Sequence, residues 1–167
     1  MHLPDFQVVT NLEKERKMAY PEELVRPMRL ELSSIGIQEL RTADDVDKFL
    51  ADKSGTSMII VNSVCGCAAG GARPGLKMAL QGAVKPARVG TVFAGQDTEA
   101  VAKARSHVAD IPPSSPSIML FKDGEMVHFV PRHMIEGRDP STISADLTKA
   151  FEQYCAAAQN TPKEVLK

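Results

Sequence analysis

The sequence predicts an α/β fold with a central mixed sheet flanked by helices. Strand-like and helix-like segments alternate along most of the 167 residues, an order typical of parallel strands joined by helices. Three short apolar runs, SMIIVN, RVGTVFA and SIMLF, have the composition of strands that are covered on both faces. Further on, the turn residues Asp123 and Gly124 separate two apolar runs, which predicts a hairpin that adds an antiparallel edge.

Local signals place the individual elements. Leu24, Met28 and Leu32 recur at four-residue spacing, which predicts the apolar face of a first helix. Asp97 or Gln96 is expected to cap a later helix. The expected elements are a helix at 21–33, a strand at 35–40, a helix opened by a capping box at Thr42 and Asp45, a strand at 57–62, a helix at 76–80, a strand at 88–94, a helix at 98–108, strands at 117–121 and 126–130, and a last helix from Pro140.

Composition narrows the classes of function. The chain is 43% hydrophobic and has a net charge of -1, so no overall positive field attracts nucleic acid or an anionic membrane. No apolar run approaches the ~20 residues that a membrane helix needs, and no secretory signal is visible, so we expect a cytoplasmic location. We interpret residues 1–20 as a mobile arm, 21–158 as a single domain and 159–167 as a polar tail.

Two of the three cysteines, Cys65 and Cys67, lie in the stretch VNSVCGCAAGGARPG directly after a predicted buried strand. In a reducing compartment, closely spaced cysteines are more often catalytic or metal-binding than part of a structural disulfide. At a helix start, unpaired amides and the helix dipole stabilise a thiolate, which is the nucleophile in disulfide exchange. Gly66 permits the tight turn that an i, i+2 disulfide requires, and such a ring is expected to be strained and easily reduced.

Two other interpretations of the cysteines remain open. A CxC pair can supply two ligands to a metal, but structural zinc sites usually take four, and the other candidates are scattered singly. Both cysteines are also small enough to be packing residues without a function. We prefer redox chemistry, with no metal ligands assigned. The scattered candidates are Cys155, His2, His107, His128 and His133.

A second stretch, PPSSPSIMLFKDG at 112–124, resembles the segment of the thioredoxin fold that faces the active site. In that fold a cis proline precedes a short strand, and the matching residue is Pro116, after Ser115. The chain departs from thioredoxin itself because it has no Trp and a CxC motif in place of CxxC. Together with VNSVCGCAAGGARPG and TVFAGQD, this stretch is similar to the bacilliredoxin family over roughly residues 22–155.

The resemblance implies a thioredoxin-like thiol–disulfide oxidoreductase that acts on mixed disulfides between protein cysteines and the small thiol bacillithiol. Cys65 would attack and take the bacillithiol, and Cys67 or free bacillithiol would resolve the intermediate. Bacillithiol is then a co-substrate, with no bound cofactor, and the partners are bacillithiolated or disulfide-bonded client proteins of a monomer or weak homodimer. Members of the family are also described as general disulfide isomerases or oxidoreductases, and that alternative stays open beside a metal-binding role.

Further residues near the motifs have weaker assignments. Asn62, Ser63 and Gly66 are expected to shape the cysteine loop, and Ser115 and Pro116 to offer backbone groups to an extended substrate. Arg73 either stabilises the thiolate, holds a carboxylate of the ligand, or is a solvated surface arginine, the last being favoured. Residues 131–133, Pro-Arg-His, are placed in a loop, with lining of the same groove as the alternative, and Cys155 is interpreted as a buried bystander.

Overall fold

A five-stranded mixed sheet with helices on both faces forms the centre of the protein. A computed structural model describes residues 19–156, so the predicted arm at 1–20, except for its last two positions, and the tail at 159–167 lie outside the described residues. The elements are α1 (Glu22–Ser33), β1 (Gln38–Glu39), α2 (Ala43–Ala51), β2 (Thr56–Asn62), α3 (Arg73–Ala79), β3 (Arg88–Phe93), α4 (Thr98–Ser106), β4 (Ser117–Lys122), β5 (Glu125–Val130) and α5 (Pro140–Tyr154).

The strands are ordered β1-β3-β2-β4-β5, with β2 at the centre. β1 and β2 both run parallel to β3, whereas β4 pairs antiparallel with β2 and β5 pairs antiparallel with β4. The α/β class, the parallel strands and the C-terminal hairpin predicted from the sequence are therefore confirmed. Within residues 19–156, no helix combines the length and apolar character needed to cross a membrane.

The continuous apolar run of β2 is explained by the two cores that it joins. Met58 and Ile60 point into a core shared with α1, α3 and α5, while Ile59 and Val61 point into a second core shared with α2 and α4. Successive side chains of a strand face opposite sides of the sheet, so a strand that is covered on both faces must be apolar at every position. This burial fixes the end of β2, and with it the start of the cysteine loop.

The buried face of α1 differs from the predicted stripe of Leu24, Met28 and Leu32. Leu24 is exposed, and the buried residues are Val25, Arg29 and Leu32. Arg29 can be buried because its guanidinium donates to both carboxylate oxygens of Asp97, at 2.7 and 2.9 Å. A buried charge is tolerated when it is paired in this way.

The same ion pair changes the start of α4. Asp97 occupies the position before the helix, as expected, but its side chain makes no capping hydrogen bond, because it is engaged by Arg29. Gln96 does not cap the helix either, since its amide donates to the carbonyl of Tyr20 and to Glu22. The capping box of Thr42 and Asp45, by contrast, is confirmed.

Two predicted boundaries are wrong by several residues. The strand expected at 35–40 is reduced to Gln38–Glu39, because Gly36, at φ 91°, forms part of the turn that ends α1. The helix expected at 76–80 begins earlier, at Arg73, and a π-helical turn, Ala68–Ala72, runs directly into it. Pro74 has no amide hydrogen to continue an α-helical ladder, and in this stretch Arg73 N donates to Ala68 O, five residues back.

Candidate active site

Cys65 and Cys67 lie between the end of β2 and the π-helical turn. The carbonyl of Cys65 accepts hydrogen bonds from the amides of Ala68 and Ala69, so Cys65 stands at the beginning of the helical segment, as the sequence predicts. Both thiols are free and partly exposed. Only Gly66 separates Cys67 from Cys65 along the chain, and the charge of Cys65 acts on the ionisation of Cys67.

The pKa of Cys65 is held below that of an ordinary thiol. Burial alone would raise it, but hydrogen bonds from the Ser63 side chain and from the amides of Ala68 and Cys67 favour the thiolate, and the positive charge of Arg132 adds to them. The Ser63 hydroxyl lies 3.0 Å from the Cys65 sulfur. Hydrogen bonds to the charged form lower the pKa of an acid, so Cys65 ionises more readily than a free cysteine.

Cys67 shifts in the opposite direction. Burial raises its pKa, the negative charges at Cys65 and Glu136 raise it further, and Arg132 partly offsets them. Because the two thiols interact, their titration belongs to the pair. The two pKa shifts have opposite directions, so we expect Cys65 to ionise before Cys67 in the reduced protein.

Next to the cysteines lies a polar cluster that we call the loop floor: Asn62, Ser63 and Arg73 are buried, and the fourth member, Glu31, is exposed. Arg73 is only 2% exposed, and its Nη1 donates to Asn62 Oδ1 and to the Ser63 carbonyl, both at 2.9 Å. Its Nε donates to the carboxylate of Glu31 on α1 at 2.7 Å. The predicted solvated arginine is therefore wrong, because Arg73 is buried and holds the backbone that leads into the cysteines.

Asn62 completes the loop floor. It is fully buried, and its Oδ1 accepts from the Ser63 amide at 2.9 Å while its Nδ2 donates to the carbonyl of Met28. Gly66, between the cysteines, has open space where a Cβ would lie. The structure thus brings together all four residues assigned to the cysteine loop from sequence, namely Asn62, Ser63, Gly66 and Arg73.

A second, more exposed group near the cysteines, which we call the loop rim, consists of Ser115, Arg132 and Glu136. The Ser115–Pro116 peptide bond is cis, as the resemblance implied, and Pro116 is buried at the start of β4. Arg132 Nη1 donates to the Ser115 carbonyl at 3.3 Å, and its Nη2 lies 3.8 Å from the Cys67 sulfur. Arg132 therefore links the segment before the cis proline to the cysteines.

For residues 131–133, the sequence favours a loop role over lining of the groove. Pro131 does precede a 3-10 turn, Arg132–Met134, after β5, but the arginine reaches back to the cysteine pair. The one available signal was a cation directly after the strand that pairs with the cis-proline strand. Glu31 and Glu136 had no sequence signal; Glu31 pairs with Arg73, and Glu136 pairs with Arg132.

Of the other candidate ligands, Cys155 and the histidines at 107, 128 and 133 do not form a metal cluster with the pair, and His2 lies outside the described residues. Cys155 is 2% exposed within the core shared by α3 and α5, and burial raises its pKa. His128 lies in β5 with its ring against Tyr154, and burial lowers its pKa. Across residues 19–156, no cluster of three or more His, Cys, Asp or Glu is arranged to hold a metal ion.

Solved structures with the same fold are thioredoxins. The structure of Fasciola hepatica thioredoxin matches 71% of this chain and 99% of its own, with a TM-score of 0.50 and 19% sequence identity. Mitochondrial thioredoxin 3 of Saccharomyces cerevisiae, in its oxidised form, also gives a TM-score of 0.50, at 15% identity over 74% of this chain and 98% of its own. At this level of identity the likeness shows the thioredoxin fold alone.

Fold, cysteine pair and relatives together define the class of protein, a thioredoxin-fold thiol–disulfide oxidoreductase. Residues 20–155 match the family model described as "Disulphide isomerase", and the chain belongs to that family, whose members include the bacilliredoxins. A bacilliredoxin of Koribacter versatilis is 54% identical over 138 residues, covering 83% of this chain and 95% of the relative. One of Bacillus licheniformis is 51% identical over 137 residues, covering 81% and 95%. The resemblance to bacilliredoxins is thereby confirmed.

Proposed function

We propose that the protein reduces mixed disulfides between protein cysteines and bacillithiol, with Cys65 as the attacking thiol and Cys67 as the resolving thiol. The observation that carries the assignment of roles is the 3.0 Å contact between the Ser63 hydroxyl and the Cys65 sulfur, which favours a thiolate at Cys65. The substrate is supported by the name "Bacilliredoxin" of relatives that share 46–54% of their residues with this chain.

The proposed reaction has two exchanges. The Cys65 thiolate attacks the bacillithiol sulfur of the mixed disulfide, a Cys65–bacillithiol disulfide forms, and the client leaves as a thiolate. Cys67 then loses its proton to solvent and attacks the Cys65 sulfur. Bacillithiol leaves as a thiolate and the Cys65–Cys67 disulfide carries the oxidation, until an external thiol reduces it. Free bacillithiol attacking the mixed disulfide at Cys65 is the alternative second exchange.

The experiment uses a model protein with a single bacillithiolated cysteine, and intact-mass spectrometry follows the loss of the adduct. We expect the wild type to remove the adduct, Cys65→Ser to leave it in place, and Cys67→Ser to accumulate bacillithiol on Cys65. The same model protein, carrying glutathione in place of bacillithiol on its cysteine, serves as the control for thiol selectivity. Full activity of Cys65→Ser overturns the assignment of the attacking thiol, and equal rates with both adducts overturn bacillithiol selectivity.

A second candidate function is general disulfide isomerisation, which the description of the matching family favours. It uses the same first attack, but the Cys65 mixed disulfide is resolved by another cysteine of the client, so that Cys67 becomes dispensable. Refolding of a scrambled disulfide protein separates the two functions. Isomerase activity that survives Cys67→Ser, together with no removal of bacillithiol, favours the second candidate.

A further inference from the structure

Arg132 is held in place from the cis-proline side of the site. Its amide donates to the Ser114 hydroxyl at 3.2 Å, and its Nη1 donates to the Ser115 carbonyl at 3.3 Å. These two contacts fix both ends of the residue, so that the other arm of the guanidinium, Nη2, faces the Cys67 sulfur at 3.8 Å. An arginine fork that is anchored at one arm loses little further freedom when the other arm binds an anion.

Arg132 pairs with the carboxylate of Glu136, and this ion pair is weak. The carboxylate lies 3.6 Å from Nη2, and the two side chains are 41% and 58% exposed. Exposed ion pairs contribute little to stability because water screens them, so the guanidinium can exchange Glu136 for a better anion at little cost. A thiolate at Cys67 would be such an anion.

The negative charge that acts on Cys67 changes during the proposed reaction. The ionisable groups that act on Cys67 are Cys65, Glu136 and Arg132. Before the attack, the negative charge lies on Cys65 and opposes ionisation of Cys67. Once Cys65 is in a disulfide that charge is gone, while the cation remains beside Cys67.

We propose that Arg132 is a positioning residue for the resolving step: its guanidinium holds the Cys67 sulfur as a thiolate beside the Cys65 disulfide. The proton of Cys67 passes to solvent, the Cys67–Cys65 bond forms, and the bond from Cys65 to the bound thiol breaks. The electron pair leaves with that thiol, so no further oxidant or reductant is needed. The proposal rests on the proposed roles of Cys65 and Cys67.

The test follows the reduced full-length protein as it reacts with one equivalent of dithiodipyridine, a neutral disulfide that releases a coloured thiopyridone at each exchange. Attack by Cys65 gives the first release, and resolution by Cys67 gives the second. Cys67→Ser, which stops after the first release, assigns the two phases. Arg132→Gln removes the charge, Arg132→Lys keeps it, and Arg138→Gln alters an arginine of the same segment that is bonded to Met134 and Asp146.

We expect Arg132→Gln to slow the second release about three- to tenfold at neutral pH and to move its pH midpoint upward, since loss of a nearby cation disfavours the thiolate. The first release should slow less, because Ser63 and two amides also hold the Cys65 sulfur. The rates of the second release should converge with wild type at high pH. Arg132→Lys should recover part of the rate, and Arg138→Gln should match wild type.

Three results would overturn the proposal: an unchanged second release in Arg132→Gln, an equal slowing at every pH, or a slowing seen only with the dianionic reagent dithiobis(nitrobenzoate). The last would make Arg132 a substrate-binding residue instead. The assay contains neither bacillithiol nor a client protein, so a failure of the proposed substrate leaves it unaffected. A failure of the proposed cysteine roles is visible separately, as a normal first release from Cys65→Ser.

Discussion

The loop floor and the loop rim each place an arginine near the same two cysteines, but the two arginines differ in burial. In the floor, Arg73 is 2% exposed and donates to Asn62, to the Ser63 carbonyl and to Glu31. In the rim, the side chain of Arg132 is 41% exposed and meets a sulfur and one carbonyl. A buried cation with three hydrogen bonds fixes a conformation, whereas a half-exposed cation acts mainly through its charge. Changes in the floor should therefore alter stability, and changes in the rim should alter the pH dependence of the reaction.

The largest effect is expected from Arg73→Met, which removes the charge but keeps much of the side-chain volume. The Ser63 carbonyl loses its donor and Asn62 Oδ1 keeps only the Ser63 amide, and a buried polar atom left without a partner costs about 1–3 kcal/mol. We expect the free energy of unfolding in urea to fall by about 2–4 kcal/mol. Lys77→Ala, at an exposed position of the same helix, is the matched control and should change it little. Equal stability of Arg73→Met and wild type would contradict the structural role of the loop floor.

The next largest effect is expected from a change in the packing of α3 against α5. A Cβ at Gly75 would lie 2.8 Å from Ile143 Cγ2 and 3.2 Å from the Pro140 carbonyl. Gly75→Ala should therefore destabilise the protein by about 1–3 kcal/mol, as overpacking usually does. Gly70→Ala, in the π-helical turn, meets nothing within 4 Å and provides the control. Thermal unfolding of the two variants checks this, and a loss of stability in both would point to the glycine backbone instead of the contact with Ile143.

Ser63 belongs to the loop floor but also contacts the Cys65 sulfur, so Ser63→Ala tests how the floor affects the reactivity of that thiol. Without the hydroxyl, the pKa of Cys65 should rise toward that of an ordinary thiol, and alkylation at neutral pH should slow about three- to tenfold. Above both pKa values the variant should be at least as fast, because a more basic thiolate is more nucleophilic. Iodoacetamide labelling across pH measures this, with Ser34→Ala at an exposed serine as the control. A slowing that persists at high pH would indicate a distorted loop.

The smallest effect is expected in the rim, from Glu136→Gln. Glu136 raises the pKa of Cys67, so removing its charge should lower that pKa and shift labelling of Cys67 to lower pH. The free energy of unfolding should stay within about 0.5 kcal/mol of wild type, as for most exposed positions. A separate labelling profile for each cysteine, obtained by peptide mass spectrometry, measures the shift. Labelling of Cys67 that moves to higher pH would contradict the assigned charge effect.

The sequence predicted what depends on neighbours along the chain. The buried strand before the cysteines, the helix start at Cys65, the capping box at Thr42 and the turn at Asp123 all follow from a few adjacent residues. Such features obey local rules of periodicity, capping and turn geometry.

Prediction from the sequence failed where a charged side chain binds a partner that is distant in the sequence. The Arg29 contact with Asp97 spans 68 residues, that of Arg73 with Glu31 spans 42, and that of Arg132 with Cys67 spans 65. An arginine is normally exposed, and only the fold supplies the partners that allow Arg29 and Arg73 to be buried. The cysteine motif was therefore visible in the sequence, with Arg73 as a candidate beside it, whereas the burial of Arg73 and the contact of Arg132 with Cys67 were not.

The measurement that tests the central claim most directly is differential alkylation of Cys65 and Cys67 in the reduced protein as a function of pH. Peptide mass spectrometry reports each thiol separately, and a free cysteine peptide provides the reference. We expect Cys65 to be labelled first, with a midpoint below that of the reference, and Cys67 to follow at higher pH. Labelling of Cys67 before Cys65, or a midpoint for Cys65 at or above that of the free peptide, would contradict the assignment of Cys65 as the attacking thiol.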